Sequence, residues 1–179
     1  MASYAREAMG TASELGYRHR RANAFQRSMQ AVGSSRPGAW AFARLLPPLD
    51  RVLGRATRGR RSAPDVLAGL PVLMVTTTGR RSGRPRTTPL ISVPVDDDLS
   101  LLGTNFGGPS TPGWVRNLEA DPRATVAFGG RTVEVVARAA TPAERAAVWS
   151  AAADVYRGYG EYRRRVQDRE IRIFVLELA

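Results

Sequence analysis

The 179-residue chain has no cysteine, no lysine and a single histidine. It also has no apolar run approaching the roughly 18 residues that span a bilayer. Without cysteine there is no disulfide framework, no thiolate chemistry and no thiolate metal site. The one histidine, His19, excludes a histidine-based triad and a multi-histidine metal centre, so no metal is expected. No paired carboxylates stand in a recognisable glycosidase context. A catalyst short of these groups is easiest to picture with a cofactor carrying the chemistry. The N-terminus lacks the continuous apolar core of a secretory signal. The expectation is a soluble or peripheral protein, cytoplasmic or resting on the inner face of the cell membrane.

Positive charge is abundant. All 27 basic residues are arginine, and the net charge is +11. Residues 1–69 carry 12 arginines against 4 acids, while residues 70–179 carry 15 against 12. The basic leading third suits an anionic partner, or it is a solvated arginine face.

The chain divides into a basic helical extension and linker, residues 1–64, and a second domain, residues 65–179. Residues 1–16, small and polar, read as a loose terminus. Helical patterns follow over 17–32 and after Pro37, with Pro47-Pro48 interrupting the second. Residues 54–64 read as a basic linker. Short β-rich runs then appear at 70–77, 87–95, 99–104, 124–128, 132–139 and 171–178. Asp96-Asp97-Asp98 joins the second and third runs as a solvated acidic turn or a weak cation attractor. Gly129-Gly130 marks a hairpin. Thr141-Pro142-Ala143-Glu144 opens a helix reaching about Tyr156, with an N-cap, a first-turn proline and a capping glutamate. The class expected is mostly β with α, a closed barrel of about six antiparallel strands decorated by helices. A parallel doubly wound sheet is disfavoured, because regular helix–strand alternation is missing.

Three segments carry the chemistry. Gly79-Arg80-Arg81-Ser82-Gly83-Arg84-Pro85-Arg86 lies between two strand-like runs. It offers forked donors for phosphate or carboxylate, or it is a charged hairpin. It is not a Walker loop, since spacing and lysine are absent. Thr104-Asn105-Phe106-Gly107-Gly108-Pro109 leads to Pro112-Gly113-Trp114, as a ligand-facing loop or plain turn chemistry. Trp114, Asn117 and Leu118 fall on a short helix, where a tryptophan is more often core than cofactor platform. Tyr156, Tyr159 and Tyr162 recur at intervals of three, a spacing that on a helix puts them on one slowly turning face. They could wall a site for a flat ligand or form a packing surface.

Taken together, TTTGRRSGRPRTTPL (76–90), TNFGGPSTPGWVRNLEADP (104–122), VYRGYGEYRRR (155–165) and the closing IFVLEL resemble the deazaflavin-dependent nitroreductase and quinone reductase family. The match runs from about Asn23 to the C-terminus, in order and spacing. The resemblance implies a split β-barrel of the FMN-binding type and coenzyme F420, an 8-hydroxy-5-deazaflavin with a phosphate and a polyglutamate tail. FMN is the less favoured cofactor. Arg81 and Arg86 match phosphate-binding positions. Arg80 and Arg84 would steer the tail carboxylates, with Ser82 and Gly83 in the same cradle. The backbone of Thr87, Thr88 and Pro89 would lie along the ring. Gly107, Gly108, Trp114 and Asn117 belong to the family's loop–helix motif on the cofactor side, and Asn105 falls on an often basic position.

The resemblance also places Thr104, Tyr156 and Tyr162 at the chemistry, with Ile91 and Tyr159 completing a substrate pocket. The activity implied is hydride transfer from reduced F420 to a quinone, nitroaromatic or activated enone. Asn105, Thr111, Val115, Ile91 and Arg172 depart from the usual pattern, which bears more on substrate than on cofactor. The alternatives are an FMN- or haem-binding relative on the same barrel, or a non-catalytic F420 carrier or sensor. A nucleic-acid partner is not expected, since no reading helix accompanies the basic patch. Peripheral contact with an anionic membrane through residues 17–61 would bring the protein to where quinones reside.

Overall fold

In a computed structural model the chain is described over residues 9–17, 35 and 70–179. The helical patterns expected within 18–64 and the basic linker lie outside the described residues.

Six antiparallel strands close on themselves: β1 (Val72–Thr78), β2 (Pro85–Val95), β3 (Asp98–Leu102), β4 (Arg123–Phe128), β5 (Arg131–Ala139) and β6 (Ile173–Leu178). Their order around the barrel is β1-β2-β3-β6-β5-β4, with β4 returning to β1. Alternation explains the closure. Leu73, Val75, Leu99, Leu101, Val126, Val135 and Leu176 all point inward and are essentially sealed from solvent, while their neighbours face out. Strand ends differ from the sequence expectation by up to two residues, the usual margin for element boundaries.

Helices finish the interior and cover one outer face. Helix α1 (Thr11–Leu15) and helix α2 (Gly113–Ala120) send Leu15, Trp114, Val115 and Leu118 into the barrel core. Helices α3 (Pro142–Val155) and α4 (Gly158–Arg165) bury a second apolar cluster against the outside of the sheet. There Val148, Ala152, Val155 and the three tyrosines meet Val72, Val93, Leu102 and Ile173. The full capping box expected at Thr141 and Glu144 is present. Arg138 grips the same glutamate at 2.7 Å. Among the described residues no helix is long and apolar enough to cross a membrane.

The terminus expected to be loose is docked where it is described. Thr11 is fully buried; its hydroxyl accepts from the Leu99 amide at 3.0 Å and donates to the Leu176 carbonyl at 3.1 Å. The acidic turn acts as its cap: Asp97 Oδ2 accepts from the Gly10 amide and Oδ1 from the Ser13 hydroxyl, both at 2.6 Å. A carboxylate beside free amides at a helix start is favourable. These bonds, the Ser13 hydroxyl first, hold the Asp97 carboxyl below its ordinary range.

Candidate functional site

The turn between β1 and β2 is tightly built. The Gly79 amide donates to the Arg84 carbonyl at 2.9 Å, and the Gly79 carbonyl accepts from the amides of Ser82 (3.0 Å) and Gly83 (2.7 Å). Asn117 on α2 staples it. Its Oδ1 accepts from the Arg80 amide at 3.2 Å, and its Nδ2 donates to Thr77 Oγ1 at 3.0 Å. Arg80, Arg81, Arg84 and Arg86 all project into solvent. None has an acidic partner among the described residues, whereas Arg123, Arg138, Arg145, Arg164 and Arg172 are each paired with a carboxylate. The hairpin is thus a concentration of uncompensated positive charge on a rigid support.

Strand register links this hairpin to the tyrosines. Val72 pairs with Ile91, Met74 with Pro89 and Thr76 with Thr87. Because Val72 faces outward, so do Thr87, Pro89 and Ile91. The Thr76 and Thr87 hydroxyls bond at 2.8 Å on that face. Thr87 to Ile91 spans about 13 Å at the usual rise of a strand. At its far end the Tyr159 hydroxyl donates to the Ile91 carbonyl at 3.0 Å.

Tyr156, Tyr159 and Tyr162 do come together, though not on one helix. Tyr156 caps α3 in an extended conformation, and the other two lie on α4. All three are 5% exposed or less. The Tyr156 and Tyr162 rings lie 5.9 Å apart, with their hydroxyls 3.1 Å from one another. Burial pushes all three phenols above their ordinary range, and the Tyr156 and Tyr159 charges would push Tyr162 further. They remain protonated donors at neutral pH.

The segment after β3 completes the group. Thr104, at the start of this segment, is buried. Asn105, Phe106 and Gly107 follow in three consecutive left-handed conformations, φ 50°, 55° and 77°. Such backbone is costly outside glycine and is concentrated at functional sites. Asn105 Nδ2 is spent within the loop, on the Ser110 carbonyl (3.0 Å) and hydroxyl (3.1 Å). Gly107 lies against α4, where a Cβ would come 3.0 Å from Arg165 Cδ and 3.4 Å from Tyr162 Cα. Gly108 closes the turn through the Asn105 carbonyl at 2.8 Å.

Trp114 is not with these groups. It lies in the barrel core, edge-on to Phe174 at 6.1 Å, and anchors the helix that carries Asn117. Phe106 and Arg165 were missed in the sequence. Phe106 is 41% exposed and sits edge-on to Tyr162 at 6.2 Å; an aromatic inside a glycine loop was the available signal. Arg165, 5.9 Å above the Tyr162 ring, is one of three consecutive arginines and gave no signal. A separate cleft of about 440 Å³ between α3, α4 and residues 166–171 contains none of the expected site residues. Two of its arginines are already engaged: Arg145 with Glu170 and the Ile171 carbonyl, and Arg163 with the Trp149 ring. No metal-holding group of His, Asp or Glu occurs among the described residues.

The chain is similar to known proteins in sequence and in fold. The chain is 31% identical over 94 residues to the F420H(2)-dependent quinone reductase Rv1261c of Mycobacterium tuberculosis. That match spans 52% of this chain and 62% of the relative, so the chain spans less than two thirds of that protein's length. A solved structure of an F420-H2 dependent reductase is 32% identical with a TM-score of 0.55, covering 60% of this chain and 94% of that one. A second, described as a domain-swapped dimer, is 29% identical with a TM-score of 0.58, covering 79% and 99%. A family model for F420H(2)-dependent quinone reductases matches residues 51–178, and the chain belongs to that family.

Proposed function

We propose that the protein reduces a quinone, or a nitroaromatic or enone of similar shape, with reduced F420 as hydride donor. The observation that carries this reading is the outward strand face Thr87–Pro89–Ile91, which runs from a hairpin of four arginines with no acidic partner among the described residues to Tyr159. The residues fit the coenzyme. A phosphate and a polycarboxylate tail need several cations without internal partners, and the hairpin has them on a stapled turn. Arg81 and Arg86 would hold the phosphate and Arg80 and Arg84 the tail, with Ser82 and Gly83 closing the cradle. Thr87, Thr88 and Pro89 would offer backbone to the ring.

When bound, the reduced deazaflavin supplies a hydride. The chain must orient the acceptor, exclude water and stabilise the charge that develops on the acceptor oxygen. The Thr104 hydroxyl would serve this purpose. Tyr156 and Tyr162, whose hydroxyls meet at 3.1 Å, would turn their phenols toward an acceptor oxygen. The Tyr159 hydroxyl donates to the Ile91 carbonyl, and its ring would serve as a wall. Phe106 and Ile91 add apolar surface, which suits a flat ring. The basic leading third would hold the enzyme against an anionic membrane, a proposal tested by co-sedimentation with anionic and neutral vesicles.

The deciding experiment is a fluorescence titration with F420, followed by steady-state oxidation of the reduced coenzyme against a menaquinone analogue, a nitroaromatic and an enone. Saturable binding and turnover of at least one acceptor are expected. Saturable binding without turnover of any acceptor would identify a carrier instead, and no binding at all would end the proposal.

A further inference from the structure

We infer that Arg169 is the positioning residue that holds the Thr104 turn in its reactive shape, a role that rests on the proposed reductase activity. Arg169 lies in the irregular segment between α4 and β6. Its guanidinium reaches three carbonyls at once. Nη1 donates to Gly103 at 2.9 Å, and Nη2 donates to Thr104 at 2.9 Å and Gly108 at 3.1 Å, with Nε 3.4 Å from Gly108. No carboxylate takes it among the described residues. The neighbouring Glu170 is committed to Arg145 and Arg172. Arg169 is partly exposed, and the burial it does have lowers its pKa.

The turn needs such a clamp. Asn105 and Phe106 both carry a left-handed backbone, which is unfavourable for Phe106 above all. Apart from the Asn105 amide on Ser110, the turn's own bonds are two short ones, from the Gly107 amide to the Thr104 carbonyl and from the Gly108 amide to the Asn105 carbonyl. Arg169 joins the start of the turn, Gly103 and Thr104, to its end at Gly108. Three carbonyl dipoles aimed at one point repel each other unless a cation with several planar donors stands between them. Only a guanidinium meets that geometry; an ammonium on a flexible stem presents one point of charge. Fixing the Thr104 carbonyl fixes the direction of its hydroxyl. The same clamp holds Phe106 edge-on to Tyr162. The arginine thus sets the spacing between the two donors proposed to meet the acceptor oxygen, while touching neither acceptor nor coenzyme.

The test compares Arg169→Ala and Arg169→Lys with the wild-type full chain. Because a misplacement of about 1 Å can cost about a hundredfold in rate, kcat should fall by about ten- to a hundredfold in both. The Kd for F420, set by the separate arginine hairpin, should stay within about twofold. Guanidinium ion, but not methylammonium, should restore part of the Arg169→Ala rate. The amides of Gly107 and Gly108 should exchange hydrogen at least about tenfold faster, because the turn opens locally while the barrel stays closed. Unchanged kcat and exchange would overturn the assignment. So would a parallel loss of stability and F420 binding without guanidinium rescue, which marks a purely structural residue. Should Arg169→Ala fail to fold, Arg169→Lys decides by the same rate and exchange measurements. If the wild type neither binds F420 nor turns over, the proposed function fails, while the glycine exchange still decides whether Arg169 holds the turn.

Discussion

Gly158 opens α4 directly beneath the Tyr156 ring, and Gly158→Ala is the sharpest test of the tyrosine arrangement. A Cβ at that position falls 2.2 Å from Tyr156 Cε1, 2.3 Å from Cζ and 2.6 Å from the hydroxyl oxygen. The backbone does not require glycine, since its φ is not positive. On helix propensity alone alanine would gain about 0.5–1 kcal/mol. The contact decides the sign. The ring is 5% exposed, bonded to the Tyr162 hydroxyl and edge-on to Tyr159 at 5.7 Å, so it has little room to retreat. Overpacking costs about 1–3 kcal/mol, and contacts this short belong at about 2–3, leaving a net loss of about 1–2.5 kcal/mol. At about 2–4 °C per kcal/mol for a chain of this size, the melting temperature should fall by about 2–10 °C. Gly160, two residues on, has nothing within 4 Å of its Cβ position. Gly160→Ala should therefore raise stability by about 0.5–1 kcal/mol. Denaturant unfolding of both variants, repeated in a Tyr156→Ala background, separates the terms. The Gly158 penalty should vanish when the ring is removed. The reasoning is refuted if Gly158→Ala is as stable as wild type, or if its penalty survives without Tyr156.

Thr11→Val keeps the side-chain shape but strands the Leu99 amide and the Leu176 carbonyl. A loss of about 1–3 kcal/mol is expected in urea unfolding. Arg138 first, then the Thr141 amide and hydroxyl, lower the Glu144 pKa from 4.5 to about 2. A lowered folded-state pKa means that its contribution is fully present above 4.5 and lost as pH falls toward 2, so Glu144→Gln should flatten that part of the acid-unfolding curve. Arg81→Gln and Arg86→Gln should each weaken F420 binding about tenfold or more in a fluorescence titration, with a shallower salt dependence than wild type. An unchanged Kd in both would remove the hairpin from the site.

Much of the barrel could be read in advance because strand signals are local. The largely alternating burial along 72–78, the apolar run of 99–102 broken only by Ser100, the Gly129-Gly130 turn and the Thr141–Glu144 capping box each depend on neighbours a few residues away. The arginine hairpin was legible for the same reason. What escaped depends on distant contacts. The five residues of α1 are too few to show a helical period, and their place is set by Asp97 and Leu176. Trp114 has the composition of either a platform or a core anchor, and only the barrel interior decides between them. The tyrosine spacing suggested one helix face, but α3 ends at Val155 and the chain turns before Gly158. Arg169 is one of 27 arginines, distinguished only by the three carbonyls that folding brings to it.

The docking of α1 has a consequence for biosynthesis. Thr11 lies 88 residues before one of its hydrogen-bond partners and 165 before the other. During vectorial translation the first described helix must wait, its barrel-plugging Leu15 without a core, until residue 176 has left the ribosome. Closing so long a loop is entropically costly and slow compared with local pairing. The nascent chain therefore carries that helix undocked while the 165 residues separating it from Leu176 are made, and this interval is when a holding chaperone would have the greatest effect on yield.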